Sequence, residues 1–108
     1  MPANTRKRIT RYRYHHPGRL VPPDAKHLRG RSMRLLPGET VAWHTTGKRE
    51  EVIIVLAGSL RLDLADGGRV ARTTTLSVGH CVFLPQAVAH RVVNRFTRIA
   101  RYLYFTAS

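Results

Sequence analysis

Residues 38–58 read GETVAWHTTGKREEVIIVLAG, two β-type runs on either side of one turn. Thr40–Thr45 mixes β-branched and aromatic residues, which suit a pleated, half-buried surface. Thr46–Arg49, with Gly47 at its centre, breaks the run. Glu51–Ala57 follows and is nearly all apolar, with the length of a strand and far short of the roughly 20 residues a membrane helix needs. Val52–Ala57 does not alternate, so both of its faces are expected to be covered. One would line a barrel and the other would meet a second sheet or a second subunit. His44 and Thr46 are two apart and point to the same face, with Trp43 on the opposite one.

The same texture continues outward from this stretch. Candidate strands are Ser32–Leu36, Ser59–Leu64, Val70–Leu76, Cys81–Leu84, His90–Asn94 and Ile99–Phe105, separated by Pro37–Gly38, Gly58, Ala65–Gly68, Ser77–Gly79 and Pro85–Val88. Asp66–Gly67–Gly68 signals a tight hairpin, because its glycines accept positive φ without a steric cost. Leu60, Leu62 and Leu64 share one strand face, with Arg61 and Asp63 on the other. No segment of ten or more residues shows helical spacing with caps. Eight short strands at near-regular spacing predict an all-β closed barrel or sandwich. At 108 residues the chain has room for one such core, not two.

Strand geometry also isolates a polar cluster. If Thr46–Arg49 turns the chain, the next strand starts at Glu50–Glu51 beside the strand of His44, with Glu50 facing outward into water. His90 opens a further strand after the Pro85 turn. Two imidazoles and a carboxylate from adjacent strands form the donor set of a divalent transition metal, and such a face leaves positions open for substrate or oxygen. His44, Glu51 and His90 are therefore the candidate metal ligands.

With these residues placed, the sequence resembles the cupin superfamily, whose motifs are G-(x)5-H-x-H-(x)3-4-E-(x)6-G and G-(x)5-P-x-G-(x)2-H-(x)3-N. Gly38, His44, Glu51 and Gly58 fall at the offsets of the first. Gly79, Pro85, His90 and Asn94 fall at those of the second, in GHCVFLPQAVAHRVVN. The resemblance spans roughly residues 31–106. It implies a double-stranded β-helix (jelly-roll) barrel over 31–108, preceded by an extended basic arm over 1–30, and predicts that the barrel folds without that arm. It also implies a homodimer, a small-molecule ligand or substrate, and a metal ion that is Fe, Mn, Zn, Ni or Cu. The chain departs from the pattern twice. Ala87 replaces the second glycine of the later motif. Thr46 stands where the family has its second histidine, so one imidazole ligand is lost and the hydroxyl is left to position water or substrate.

Three functions follow. The first is a metal-dependent cupin acting on a small anionic or oxygenated molecule, with dioxygenase chemistry if the ion is Fe(II) and isomerase or hydrolytic chemistry if it is Zn or Mn. The second is a metal-free ligand-binding barrel of the kind used as a sensor domain. The third is a polyanion binder working through the arm. Residues 1–34 carry ten Lys/Arg against Asp24 alone, a net +9 of the total +13. Arg6, Lys7, Arg8, Arg11 and Arg13, interleaved with Tyr12 and followed by Tyr14, have the composition of a non-specific nucleic-acid tail. A short strand near Arg11–Tyr14 or Leu20–Val21 is the alternative reading of this segment.

The remaining residues take plain roles. His15, His16 and His27 are read as solvated, and His80 as lying on a solvent-facing turn. Cys81 is read as core filler and Phe83 as core or pocket lining, while Tyr102 and Tyr104 alternate as half-buried aromatics. A single cysteine, no apolar run behind the basic N-terminus and no membrane-length segment place the protein in the cytoplasm.

Overall fold

Nine strands follow one another along residues 9–66 and 69–108, which the structure, a computed structural model, describes. They are β1 (Gly18–Arg19), β2 (Leu28–Leu35), β3 (Thr40–Thr45), β4 (Glu50–Ala57), β5 (Ser59–Asp66), β6 (Arg69–Ser77), β7 (Cys81–Leu84), β8 (Ala89–Val93) and β9 (Ala100–Ala107). All pairings are antiparallel. One sheet has the order β1-β2-β9-β4-β7 and the other β3-β8-β5-β6. Together they form the double-stranded β-helix that the cupin resemblance implies. Arg6, Lys7, Arg8 and the Gly67–Gly68 turn lie outside the described residues, but Asp66 pairs with Arg69, so β5 and β6 form the expected hairpin.

The core lies between the inward faces of the two sheets. Ile53, Val55 and Tyr102 from the first meet Leu60, Leu62 and Val92 from the second. Alternation explains β5, where Leu60 and Leu62 are fully buried. The face carrying Arg61 and Asp63 is not simply solvated, because Asp63 is only 1% exposed. Its carboxylate accepts hydrogen bonds from Arg91 Nε (2.6 Å) and Thr73 Oγ1 (3.0 Å) and lies 2.9 Å from Arg61 Nε. Burial opposes its charge, and the bonds from Arg91, Thr73 and Arg61 outweigh that and hold it below the ordinary carboxylate range. Trp43 faces outward as expected, with the Arg91 guanidinium 4.8 Å from its ring centroid.

Several expectations are corrected. The outer face of β4 is only partly covered: Val52 and Ile54 are half-buried and Leu56 is exposed. Phe83 and Cys81 share that outer surface and are exposed, because β7 is the edge of its sheet and turns only Val82 and Leu84 inward. The boundary at residue 30 cuts through structure. β2 begins at Leu28, its Leu28–Gly30 segment pairs with Phe105–Ala107, and Gly18–Arg19 pairs with Arg31–Ser32. The short strand of the arm is thus Gly18–Arg19, and Val21 is buried. His16 is half-buried rather than solvated, with its Nδ1 hydrogen-bonded to Tyr14; burial, then Arg101 and Arg34, lowers its pKa.

Candidate metal centre

A β-bulge sets the direction of His44. On β3, Val41 pairs with Val92 and His44 with His90, so the stretch between them holds one residue more than its partner strand. Without that extra residue, strict alternation from Val41 would turn His44 away from the interior. With it, Val41 and His44 both line one cavity. The bulged strand also supplies the carbonyl of Ala42, which accepts a hydrogen bond from His44 Nδ1 at 2.8 Å. His90 repeats the arrangement, its Nδ1 donating to the Val88 carbonyl at 3.1 Å. A carbonyl can only accept, so each Nδ1 carries the proton and each Nε2 is left with a free lone pair.

Glu51 reaches the two imidazoles from the opposite sheet, not from a strand beside β3. The neighbour of β3 is β8, and β4 lies between β9 and β7. The carboxylate therefore meets the histidines across the barrel interior. One donor atom from each of His44, Glu51 and His90 lies within 4.8 Å of the others. The imidazole centroids are 4.2 Å apart with planes tilted by 60°. Glu51 and His90 are buried, while His44 is exposed at the mouth.

The wiring of this trio fits a cation. His90 Nε2 is fully buried, 3.3 Å from Glu51 Oε1, and has no hydrogen-bond partner. A buried lone pair beside a buried carboxylate is costly unless a proton or a metal ion lies between them. Burial opposes protonation of His90, but Glu51 and the Val88 carbonyl outweigh it and raise its pKa. The same field favours any other positive charge at that point. Two neutral nitrogen donors and one carboxylate oxygen are a suitable set for a divalent transition metal.

Thr46 lines the same cavity and is also tied to the backbone. Its hydroxyl donates to the Pro85 carbonyl (2.8 Å) and accepts from Val88 N–H (3.0 Å). The single donor proton is spent on the backbone, so towards a water or ligand the hydroxyl can only accept. Thr46 also ties the β3–β4 turn to the segment between β7 and β8. Ala87, in the neighbouring turn, keeps the left-handed backbone (φ 60°) of the glycine it replaces.

The cavity has a volume of about 200 Å³. Its walls are largely apolar, from Met33, Val41, Ile53 and Val92. Tyr102 and Tyr104 add phenols whose pKa burial raises, so both remain hydroxyl donors. Arg49, in the β3–β4 turn, also lines it; the sequence offers no signal for this role beyond closeness to Glu51.

A family model for the cupin domain matches residues 31–106. The chain belongs to the cupin family. Among solved structures, the cupin resembles a Cupin 2 conserved barrel domain protein from Salinispora arenicola (22% identity, TM-score 0.71), covering 84% of this chain and 73% of that one. An RmlC-like cupin family protein from Methanocaldococcus jannaschii matches with 17% identity and a TM-score of 0.71, over 94% and 90% of the two chains. The Cnp3 cupin domain of Schizosaccharomyces pombe gives 12% identity and a TM-score of 0.74, and here the chain spans 62% of its relative. At these identities the likeness establishes the fold. No curated protein matches the chain.

Proposed function

We propose that this cupin holds a divalent transition metal through His44, Glu51 and His90 and offers it to a small oxygenated or anionic organic molecule in the barrel cavity. The observation that carries this reading is the convergence of three donor atoms within 4.8 Å, with both Nδ1 atoms committed to carbonyls and His90 Nε2 buried without a partner. When bound, the ion would supply Lewis-acid polarisation or, if redox-active, oxygen chemistry. The chain's own residues set the conditions around it. The Ala42 and Val88 carbonyls fix both rings, and Glu51 provides the compensating negative charge. The apolar wall excludes water, and Tyr102 and Tyr104 offer phenol donors. At about 200 Å³ the cavity lies below the roughly 300–1,000 Å³ of sites for drug-sized ligands, which points to a smaller molecule.

Elemental analysis of tag-free protein tests the reading. Wild type should carry one bound transition ion per chain at most, removable by chelator and restored by Zn(II). His90→Ala should lose nearly all of it while keeping a β-type circular dichroism spectrum. Full occupancy in His90→Ala would show that the ion is held elsewhere. A wild type that takes up no metal would favour the metal-free ligand-binding barrel.

A further inference from the structure

Arg49 is held unusually for a cation. Its Nε donates to Thr106 Oγ1 at 2.9 Å, and Nη2 donates to the carbonyls of Thr106 (3.0 Å) and His27 (2.5 Å). All three partners are neutral. Among the described residues it forms no ion pair: the carboxylates in close ionic contact are Asp63, with Arg61 and Arg91, and Glu51, with His90. Arg49 is nevertheless half-buried, and a guanidinium withdrawn from water ordinarily has an anion beside it. Nη1 makes no hydrogen bond among the described residues and keeps contact with solvent, so its N–H groups are open to an incoming acceptor. Thr106, which holds the guanidinium, is the register partner of Glu51 across β4 and β9. Arg49 lines the same cavity as the His44–Glu51–His90 cluster.

We propose that Arg49 is the anion-recognition residue of this cavity and that its ligand is a small organic acid whose carboxylate accepts from Nη1. The proposal deepens the metal-centre reading and rests on it for the far end of the ligand. The charges support it. Glu51 with a divalent cation leaves one positive charge in the cavity, and Arg49 adds another, so an anionic ligand brings the site towards neutrality and a neutral one does not. The hold on Nε and Nη2 fixes the guanidinium before any ligand arrives, so little side-chain entropy is lost on binding. A clamp that served only to fasten the His27 segment to β9 would need no charge.

The test compares glycolate with its neutral amide, glycolamide, by isothermal titration of Zn(II)-loaded and metal-free protein, with zinc content measured in parallel. In the Zn(II)-loaded state Arg49→Gln should weaken glycolate binding about tenfold or more, as loss of a hydrogen bond to a charged group does, and leave glycolamide binding and zinc content unchanged. A variant that binds glycolate as wild type does, or a wild type that binds no glycolate in either state, overturns the proposal. If zinc does not bind, the metal reading fails separately, and the metal-free titrations still decide the role of Arg49. Should Arg49→Gln not fold, side-chain ¹⁵N spectra of the wild type give the answer: glycolate, and not glycolamide, must shift the Arg49 Nη1 resonance.

Discussion

Thr46 shows how one position changes its work when its chemistry changes. Where the family pattern has an imidazole, this chain has a hydroxyl that bridges Pro85 O and Val88 N across two turns. Val88 also supplies the carbonyl that orients His90, so Thr46 supports the centre indirectly. Thr46→Val, nearly isosteric, removes both bonds and takes these partners from the Pro85 carbonyl and the Val88 amide. It should lower stability by about 1–3 kcal/mol in urea unfolding and weaken zinc affinity more than a surface substitution would. Unchanged values for both would show that the bridge contributes nothing. Ala87 at φ 60° stores strain in the neighbouring turn, since a non-glycine residue there costs roughly 1–2 kcal/mol. The sequence displays both departures but gives no sign that Thr46 binds backbone, because its partner at Pro85 is 39 residues away.

Strand-scale features decide where the barrel begins. Read by composition, the arm ends at residue 30. Read by hydrogen bonding, it is already part of the sheet from Gly18, and Ser32 Oγ donates to the His15 carbonyl at 2.6 Å. Arginines and prolines hide this, since a strand at a sheet edge keeps its cations in water and needs no apolar period. Two truncations separate the roles. Removing residues 1–8 takes away Arg6, Lys7 and Arg8 and should leave the thermal midpoint unchanged while the protein elutes from heparin at lower salt. Removing 1–30 also strips β1, the first three residues of β2 and the His27 carbonyl that holds Arg49. It bares part of β9, and size-exclusion chromatography should show aggregation or a marked loss of folded protein. A soluble, fully stable 31–108 fragment would contradict that role for the arm.

At the scale of the whole molecule, a net charge of +13 makes each internal carboxylate count. Asp63 stands buried between Arg61 and Arg91 and lies outside the proposed centre. Its folded pKa is depressed, so its contribution is present above the unfolded-state pKa and is lost as pH falls through the folded value. Protonating it would leave two guanidiniums facing each other without a counter-charge. The thermal midpoint should therefore drop as the solution is acidified through the carboxylate range. Asp63→Asn should be less stable at neutral pH and show a flatter acid limb. An Asp63→Asn protein with the wild-type acid limb would assign the acid sensitivity to other carboxylates.

Eight of the nine strands, the all-β class and the cupin motifs could be read from the chain itself, because alternation, turn residues and fixed spacing are local properties. So could the identity of His44, Glu51 and His90 as a group. Folding decided three other things. It placed Glu51 in the sheet opposite the histidines. It turned His44 inward through a bulge that leaves no mark in residue spacing. It also drew Arg49 partly out of water against neutral partners. Each depends on strands brought together from distant parts of the chain, where hydrogen-bond register and burial set direction and charge, and neither is encoded in local pattern.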